Sequence, residues 1–435
     1  MSAPGTINAG YLENLLAGQP HLPASPLAWL NALRAEAVER VGALTVPTLR
    51  DEEWRFTDIS LLTKMSFHPV RTTISLQAAD IARFYIEEAT TRLVFVDGVY
   101  APQLSSGITD NGVAVINLEA GFGAYAAAIE PHLGRLSEFR DNVFAALNTA
   151  FLHDAALIVV PRDVSVAIPV HLLFIATQKD VVSYPRCLLL AESGSAVTVI
   201  EDYVSLQDDA YFTNAVTEIA LIDNARVNHI RVQREGVKAF HIANCAVSLA
   251  RASNYQSVSV AFGARISRYN LNVQLAEEAE CAVDGLALIS GRQLADTHTC
   301  IDHAKPHAVS HQMHKCIVGG SAHAVFNGKI MVRQGAQRTD SRQSSRNLLL
   351  TGKAHVDTKP QLEIFADDVK CTHGATIGQL DSEEVFYLQS RGMSETAARN
   401  MLTYAFGAEI IERIPISSLK CQLEQTVLEQ TTTQP

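Results

Sequence analysis

The sequence of 435 residues contains no C-x-x-C pair, and its seven cysteines (Cys187, Cys245, Cys281, Cys300, Cys316, Cys371 and Cys421) are odd in number and widely scattered. That excludes a disulfide framework and a zinc ribbon, and it points to a reducing, cytoplasmic setting. Long apolar runs are lacking as well. Ala155–Val160 is typical of the longest, and Met1–Leu16 has neither a basic start nor a continuous apolar stretch, so we expect a soluble chain that is neither exported nor membrane-spanning. Basic charge is in deficit, with a formal net charge of −11, which argues against nucleic acid and against an anionic membrane as partner. Also absent are the phosphate-cradling G-x-x-x-x-G-K-[ST], a G-x-G-x-x-G entering a helix, H-E-x-x-H and G-x-S-x-G. Nucleotide hydrolysis, dinucleotide binding and the common hydrolase chemistries therefore have no local support. The chain is not expected to be an enzyme.

What is present is apolar surface to bury: 47% of residues are hydrophobic and 19% charged, enough for one large core or two ordinary ones. From Pro26 to Leu44 the residues Leu27, Leu30, Leu33, Ala37, Val38 and Val41 recur at helical steps, with Ser25 placed to cap and Pro26 at the first helical position. A short strand, Leu93–Val96, ends in the turn dipeptide Asp97-Gly98, and a helical pattern returns between Phe122 and His153. From about Asp154 the texture changes to short runs of Val, Ile, Leu and Thr broken by small polar turns. After Leu380 the helical period comes back, with Ser394 as N-cap and a stripe of Ala398, Met401, Leu402, Ala405, Phe406 and Ile410. The expected organisation is an N-terminal helical region with short strands over 1–153, a β core over 154–380 and a C-terminal helical region over 381–435.

Within the β core a motif recurs in which a strand ends in an aliphatic residue, a small polar turn follows and a new strand opens. It appears in LLLAESGSAVTVI from Leu188, EIALIDNARVNHI from Glu218, VSLARASNYQSVSV from Val247 and VQLAEEAECAVDG from Val273. With Leu190, Leu221, Leu249 and Leu275 as equivalents, the steps are 31, 28 and 26 residues. Ordering about 28 residues costs roughly 28–56 kcal/mol of backbone entropy, whereas burying some eight aliphatic side chains returns only about 12–24 kcal/mol. A single unit cannot stand alone. Stacked units share backbone hydrogen bonds and one continuous interior, which favours a parallel β-solenoid over a β-sandwich.

Two stretches concentrate chemistry. The first, from His298 to His323, holds His298, Cys300, His303, His307, His311, His314, Cys316 and His323. In a strand His298, Cys300 and Asp302 share a face, but the spacing matches no structural zinc pattern, and histidines exposed or hydrogen-bonded in solenoid turns account for it more simply. The second is VKCTHGATIG, Val369–Gly378, whose odd positions Val369, Cys371, His373, Ala375 and Ile377 are expected to face the core. They would place a thiol and an imidazole about 7 Å apart along the strand. Either Cys371 packs as a small hydrophobe and His373 bonds a backbone carbonyl, or the two form an incomplete ligand pair for iron or sulfur that a partner must complete. A buried imidazole without a partner would cost about 1–3 kcal/mol.

The run RNLLLTGKAHVDTKPQLEIFADDVKCTHGATIGQLDSEEVFYLQSRGM, Arg346–Met393, resembles the C-terminal signature of the SufB/SufD family of iron–sulfur cluster assembly proteins, in its SufD wording. The likeness extends through DTHTCIDH (Asp296–His303), VFNGKIMV (Val325–Val332) and VFVDGVYAP (Val94–Pro102), and faintly to DEEWRFTD around Trp54. The resemblance implies a mainly β protein, a right-handed parallel β-helix flanked by helical regions, acting as a non-catalytic scaffold subunit. It implies pairing with SufB through the β-helix ends, binding of the SufC ATPase through roughly Glu383–Ile414, including Phe386, Tyr387, Arg391, Met401 and Phe406, and, for the isolated chain, homodimerisation as an alternative. The family's functional histidine falls on His373 and its neighbouring cysteine on Cys371. Where SufB-like chains carry a further cysteine, Arg346 and Asn347 stand here, and no cysteine-rich N-terminal motif is found. The chain alone is thus expected to hold no stable cofactor, with a transient Fe–S cluster, or its iron or sulfur, handled at the interface with SufB. A β-helix carbohydrate-active enzyme, which would need carboxylates stacked on one face, and a purely structural solenoid are the alternatives.

Overall fold

Strands whose side chains alternate between the interior and the outer faces coil the chain from Ala156 to Gly378 into a parallel β-solenoid of about eight turns, two strands to a turn. The computed structural model describes residues 4–70, 74–110 and 112–432. The strands are β1 (Ala156–Val160), β2 (Val170–Ala176), β3 (Arg186–Ala191), β4 (Ala196–Ser205), β5 (Phe212–Leu221), β6 (Arg226–Arg234), β7 (Phe240–Leu249) and β8 (Asn254–Ala261). They continue as β9 (Ile266–Leu275), β10 (Glu280–Ile289), β11 (Leu294–His303), β12 (Val309–Val318), β13 (His323–Val332), β14 (Asp340–Leu349), β15 (His355–Ile364) and β16 (Lys370–Gly378). Odd strands form one sheet and even strands the other, each in chain order.

Register shows how even the repeat is. Ala191, Leu221, Leu249, Leu275, His303, Val332 and Ile364 occupy one column, at steps of 30, 28, 26, 28, 29 and 32 residues. The expected equivalence therefore holds for Leu221, Leu249 and Leu275 but is one residue off at Leu190, which pairs with Ala220. Because side chains alternate, that slip reverses the face: Ala191 lines the solenoid interior, while Leu190 lies outside it, beneath the N-terminal region. The recurring turn has a physical cause. Gly194, Asn224, Ala252, Glu278, His307 and Arg338 all adopt left-handed backbone, φ between 54° and 70°, and the N–H of each donates to a carbonyl in the turn of the next coil. That ladder offsets the roughly 1–2 kcal/mol that the conformation costs a non-glycine residue.

Helices cover both outer faces. On the odd sheet lie α1 (Pro4–Leu16), α2 (Ala28–Ala43) and α3 (Val143–Ala150), sharing an apolar layer with Leu188, Leu190, Phe212 and Phe240. Helix α2 opens at Ala28, two residues after the expected Pro26, because Asn31 clasps the backbone of Ser25 and holds it outside the helix. The expected helical stretch from Phe122 to His153 is broken into short pieces, of which α3 is the longest. The loop before α3 is fixed by one carboxylate: Glu218 accepts from the backbone N–H groups of Gly134, Leu136 and Ser137 and pairs with buried Arg186 at 2.6 Å.

On the even sheet lie α5 (Glu395–Ile411) and α6 (Ser417–Thr432), with Ile410, Ile411, Ile414, Leu419, Leu423 and Val427 against Ile230, Val260, Leu286 and Ile317. Ser394 caps α5 as expected, accepting from the N–H of Ala397. The buried stripe differs in part, however. Ala398 and Ile410 are buried as expected and Phe406 packs partly buried against the sheet-facing cluster, but Met401 and Ala405 face solvent and Thr403, Gly407 and Ala408 are buried instead; at Gly407 the helix comes so close to the sheet that a Cβ would stand 3.3 Å from Ile317. A shorter helix, α4 (Ser382–Ser390), projects with only Val385 buried.

The two ends of the solenoid are unlike. At the first, Thr91–Val96 adds to β2 and Val113–Asn117 adds to β1. The turn Asp97-Gly98 joins Thr91–Val96 to Val99–Tyr100 in a tight hairpin, both residues having positive φ. At the other end β15 and β16 are the edge strands, and no further strand pairs with them among the described residues. Among those residues, no helix is long and apolar enough to cross a membrane.

Candidate functional site at the open end of the solenoid

Strand β16 is hydrogen-bonded to β14 along one edge and, among the described residues, bare along the other. In-register parallel pairing stacks like on like, so residues facing each other across the ladder share a face. Cys371 follows Ser341 and Ser310; His373 follows Gln343 and Gln312. The odd positions of Val369–Gly378 thus belong to the interior column, as expected, but His373 is not buried. No coil lies above it, so its imidazole is exposed and Cys371 is half-buried against the end of the apolar core. The cost of burying an unpartnered imidazole does not arise here. Partial burial raises the pKa of the Cys371 thiol, with Asp340 adding in the same direction, which keeps it protonated until something displaces the proton.

The interior behind this pair is polar. Gln343 donates to Gln312 at 2.8 Å, Gln312 donates to Thr299 at 2.9 Å, Ser310 and Ser341 share a bond at 2.7 Å, and His303 meets Ser310 at 2.9 Å. Burial drives His303 down to about 4 and His314 to about 3, so both are neutral. The His314 ring stacks on Phe326 and occupies the space that a side chain on Gly285 would need. Further along the shaft a second polar group is sealed in. Glu201 meets His229 at 3.2 Å, and Glu235 meets His241 at 2.6 Å with Arg231 alongside. Burial alone would raise both carboxyls, but their histidine partners outweigh it and hold them below the usual range. Of these polar residues only His303 and His314 were singled out in the sequence, because alternation identifies a face and says nothing of whether that face is apolar.

The histidine-rich stretch is distributed rather than gathered, and only His307 lies in a turn; the others sit on β11, β12 and β13. His298, Cys300 and Asp302 do share an outward face of β11. There His298 bonds Glu53 at 3.2 Å and Asp296 at 3.0 Å, Arg268 pairs with Asp296, and Trp54 lies 3.8 Å from the Arg268 guanidinium. Burial would raise Asp296, but Arg268, His298 and Thr57 outweigh it and hold the carboxyl at about 2. The segment around Trp54 is thereby docked on the odd sheet, and together they wall a polar groove of about 700 Å³.

The C-terminal residues singled out in the sequence are spread over two helices. Phe386 (71% exposed) and Tyr387 stand out on α4, with the Arg391 guanidinium 5.3 Å from the Tyr387 ring. Met401 is exposed on α5, whereas Phe406 is half-buried and engaged by Lys315, whose ammonium bonds the Phe406 carbonyl at 2.8 Å.

Comparison with known proteins matches two family models end to end. The SufBD protein N-terminal region covers residues 7–172, and the SufBD core domain of SUF system FeS cluster assembly covers 174–406. The chain belongs to the SufBD family. Among SufBD relatives, an iron–sulfur cluster assembly SufBD family protein of Synechocystis is 40% identical over 91% of this chain and 89% of its own length. The iron–sulfur cluster assembly protein SufD of Escherichia coli is 34% identical over 94% and 97%, and SufD of Bacillus subtilis 26% over 92% and 93%. As a SufBD subunit the chain takes part in Fe–S cluster assembly, in a family whose members are generally non-catalytic assembly components.

Proposed function

We propose that this subunit is a non-catalytic scaffold that presents the open end of its solenoid, with His373 and Cys371, to a SufB-type partner, while α4 and α5 dock a SufC-type ATPase. The observation that carries this reading is the asymmetry of the ends: the first is covered by added strands, and the last offers an unpaired edge strand bearing an exposed imidazole beside a half-buried thiol. A bare edge is a template for pairing with another chain. Exposed Ile364, Phe365 and Ile377 around that end supply apolar contact area. An imidazole and a thiol are two ligands, too few for a tetrahedral iron, so the cargo is held only when a partner contributes the rest. On this reading the cluster, or its iron or sulfur, is transient cargo at the interface. Phe386, Tyr387, Arg391 and Met401 form the exposed docking surface on the C-terminal side, with Phe406 anchoring α5 beneath it.

The test is reconstitution with the partner subunits. His373→Ala sits on an exposed position and should leave the unfolding transition unchanged while cluster formation by the complex falls to background. Cluster assembly at the native rate with His373→Ala would refute the proposal.

A further inference from the structure

On the outer face of the odd sheet, away from the Cys371/His373 pair, three side chains converge that the scaffold role does not use. His323 opens β13, His355 opens β15, and the two are register partners across the ladder. Asp357 lies two residues further along β15 and therefore on the same face. His323 Nε2 is 2.8 Å from Asp357 Oδ2, and His355 Nε2 is 3.3 Å from the same oxygen. The ring centroids are 4.9 Å apart with planes tilted by 47°, so the rings splay instead of stacking, and both aim Nε2 at one point. One ligand atom from each of the three lies within 4.8 Å of the others.

We propose that His323, His355 and Asp357 bind a divalent first-row transition ion of the Zn²⁺, Fe²⁺ or Co²⁺ class, with the remaining coordination positions open to water or to an arriving ligand. Ligand atoms held about 2.0–2.2 Å from such an ion stand roughly 2.8–3.6 Å from one another, from octahedral to tetrahedral geometry, and the 2.8 Å and 3.3 Å that separate the imidazoles from the carboxylate fall in that range. His323 is hydrogen-bonded to that oxygen at 2.8 Å, and His355, at 3.3 Å, brings a second Nε2 to the same point. Two borderline nitrogens and one oxygen suit this class of ion, whereas Cu⁺ and Fe–S clusters select thiolates and Mg²⁺ or Ca²⁺ select all-oxygen shells. Two of the three ligands are on β15, the edge strand of its sheet, and all three are exposed or half-buried, so the open positions face outward at the rim of the uncovered end. Register makes the set: the histidines are 32 residues apart in sequence, one full coil, and a shift of one coil length by a single residue would turn His355 and Asp357 to the other face.

The experiment uses the full chain stripped of metal with a chelator, titrated with Co²⁺ by visible absorption and with Zn²⁺ by calorimetry. One tight equivalent is expected, with d–d bands of low-symmetry coordination. Asp357→Asn, which keeps the shape, and His355→Ala should each weaken binding at least roughly 10–100-fold, the loss that even a supporting partner of a metal ligand brings. The Cys371→Ser/His373→Ala double variant should bind as the native chain does, which separates this site from the assembly reading. Native-like affinity in Asp357→Asn, loss confined to the Cys371/His373 variant, or no stoichiometric binding by the folded native chain would each overturn the proposal.

Discussion

At the scale of single residues, the docking of the Trp54 segment rests on a small charged knot with a defined pH window. Burial would lower His298, but Asp296 and Glu53 outweigh it and raise its pKa above the ordinary value, so its contribution is full below about 6.5 and is lost as pH rises through the folded value. Asp296 is depressed to about 2, so its contribution is full above about 3.8 and is lost as pH falls toward 2. The segment should therefore be held most firmly between about pH 4 and 6.5. Trp54 fluorescence across pH 3–9 checks this, and His298→Gln should flatten the alkaline limb and, because His298 also helps to depress Asp296, move the acid limb to higher pH. None of this was legible beforehand: His298, Cys300 and Asp302 were correctly placed on one face, but the partners Glu53, Arg268 and Trp54 come from distant chain segments, and sequence spacing carries no information about them. The same limit applies to His323, His355 and Asp357, which only coil register brings together.

At the scale of elements, helix α5 is positioned by what it lacks. A Cβ on Gly407 would stand 3.3 Å from Ile317 and 3.6 Å from Leu286, so a larger residue there has to lift the helix from the sheet. Gly407→Val should destabilise the fold by about 1–3 kcal/mol through overpacking. Gly407→Ala should lie close to neutral, because roughly 1 kcal/mol of helix propensity offsets a contact that must give by a few tenths of an ångström. Urea unfolding of the two variants measures the difference. Strands, their period and the solenoid were readable because the side-chain alternation and the turn motif act locally. The face of α5 was read correctly at Ala398, Phe406 and Ile410 and misread at Met401 and Ala405, because the periodic pattern weights Met401 for its hydrophobicity and cannot see that the helix approaches the sheet most closely at Gly407. The slip at Leu190 has a related cause: Leu188, Leu189 and Leu190 are buried on both faces of the sheet, so hydrophobicity cannot tell the two faces apart there.

For the whole molecule, stability is distributed as in other stacked arrays, where each coil is held by its neighbours. Middle coils have a neighbour on both sides and a helical layer on each outer face; β16 has one neighbour and an exposed surface. Amide exchange should follow this order, with β16 opening at a small fraction of the global unfolding free energy and β5 and β7 close to the full value. Hydrogen exchange resolved by strand gives the profile, and addition of a partner that pairs with the edge should slow β16 selectively. A profile uniform along the stack would contradict it.

Because successive coils lie side by side in chain order, the ribosome releases the molecule from its covered end toward its open one. Each new turn meets a finished template, and the strand with the bare edge emerges only after every coil beneath it has a place to settle, which shortens the interval in which a half-made protein could capture the wrong neighbour.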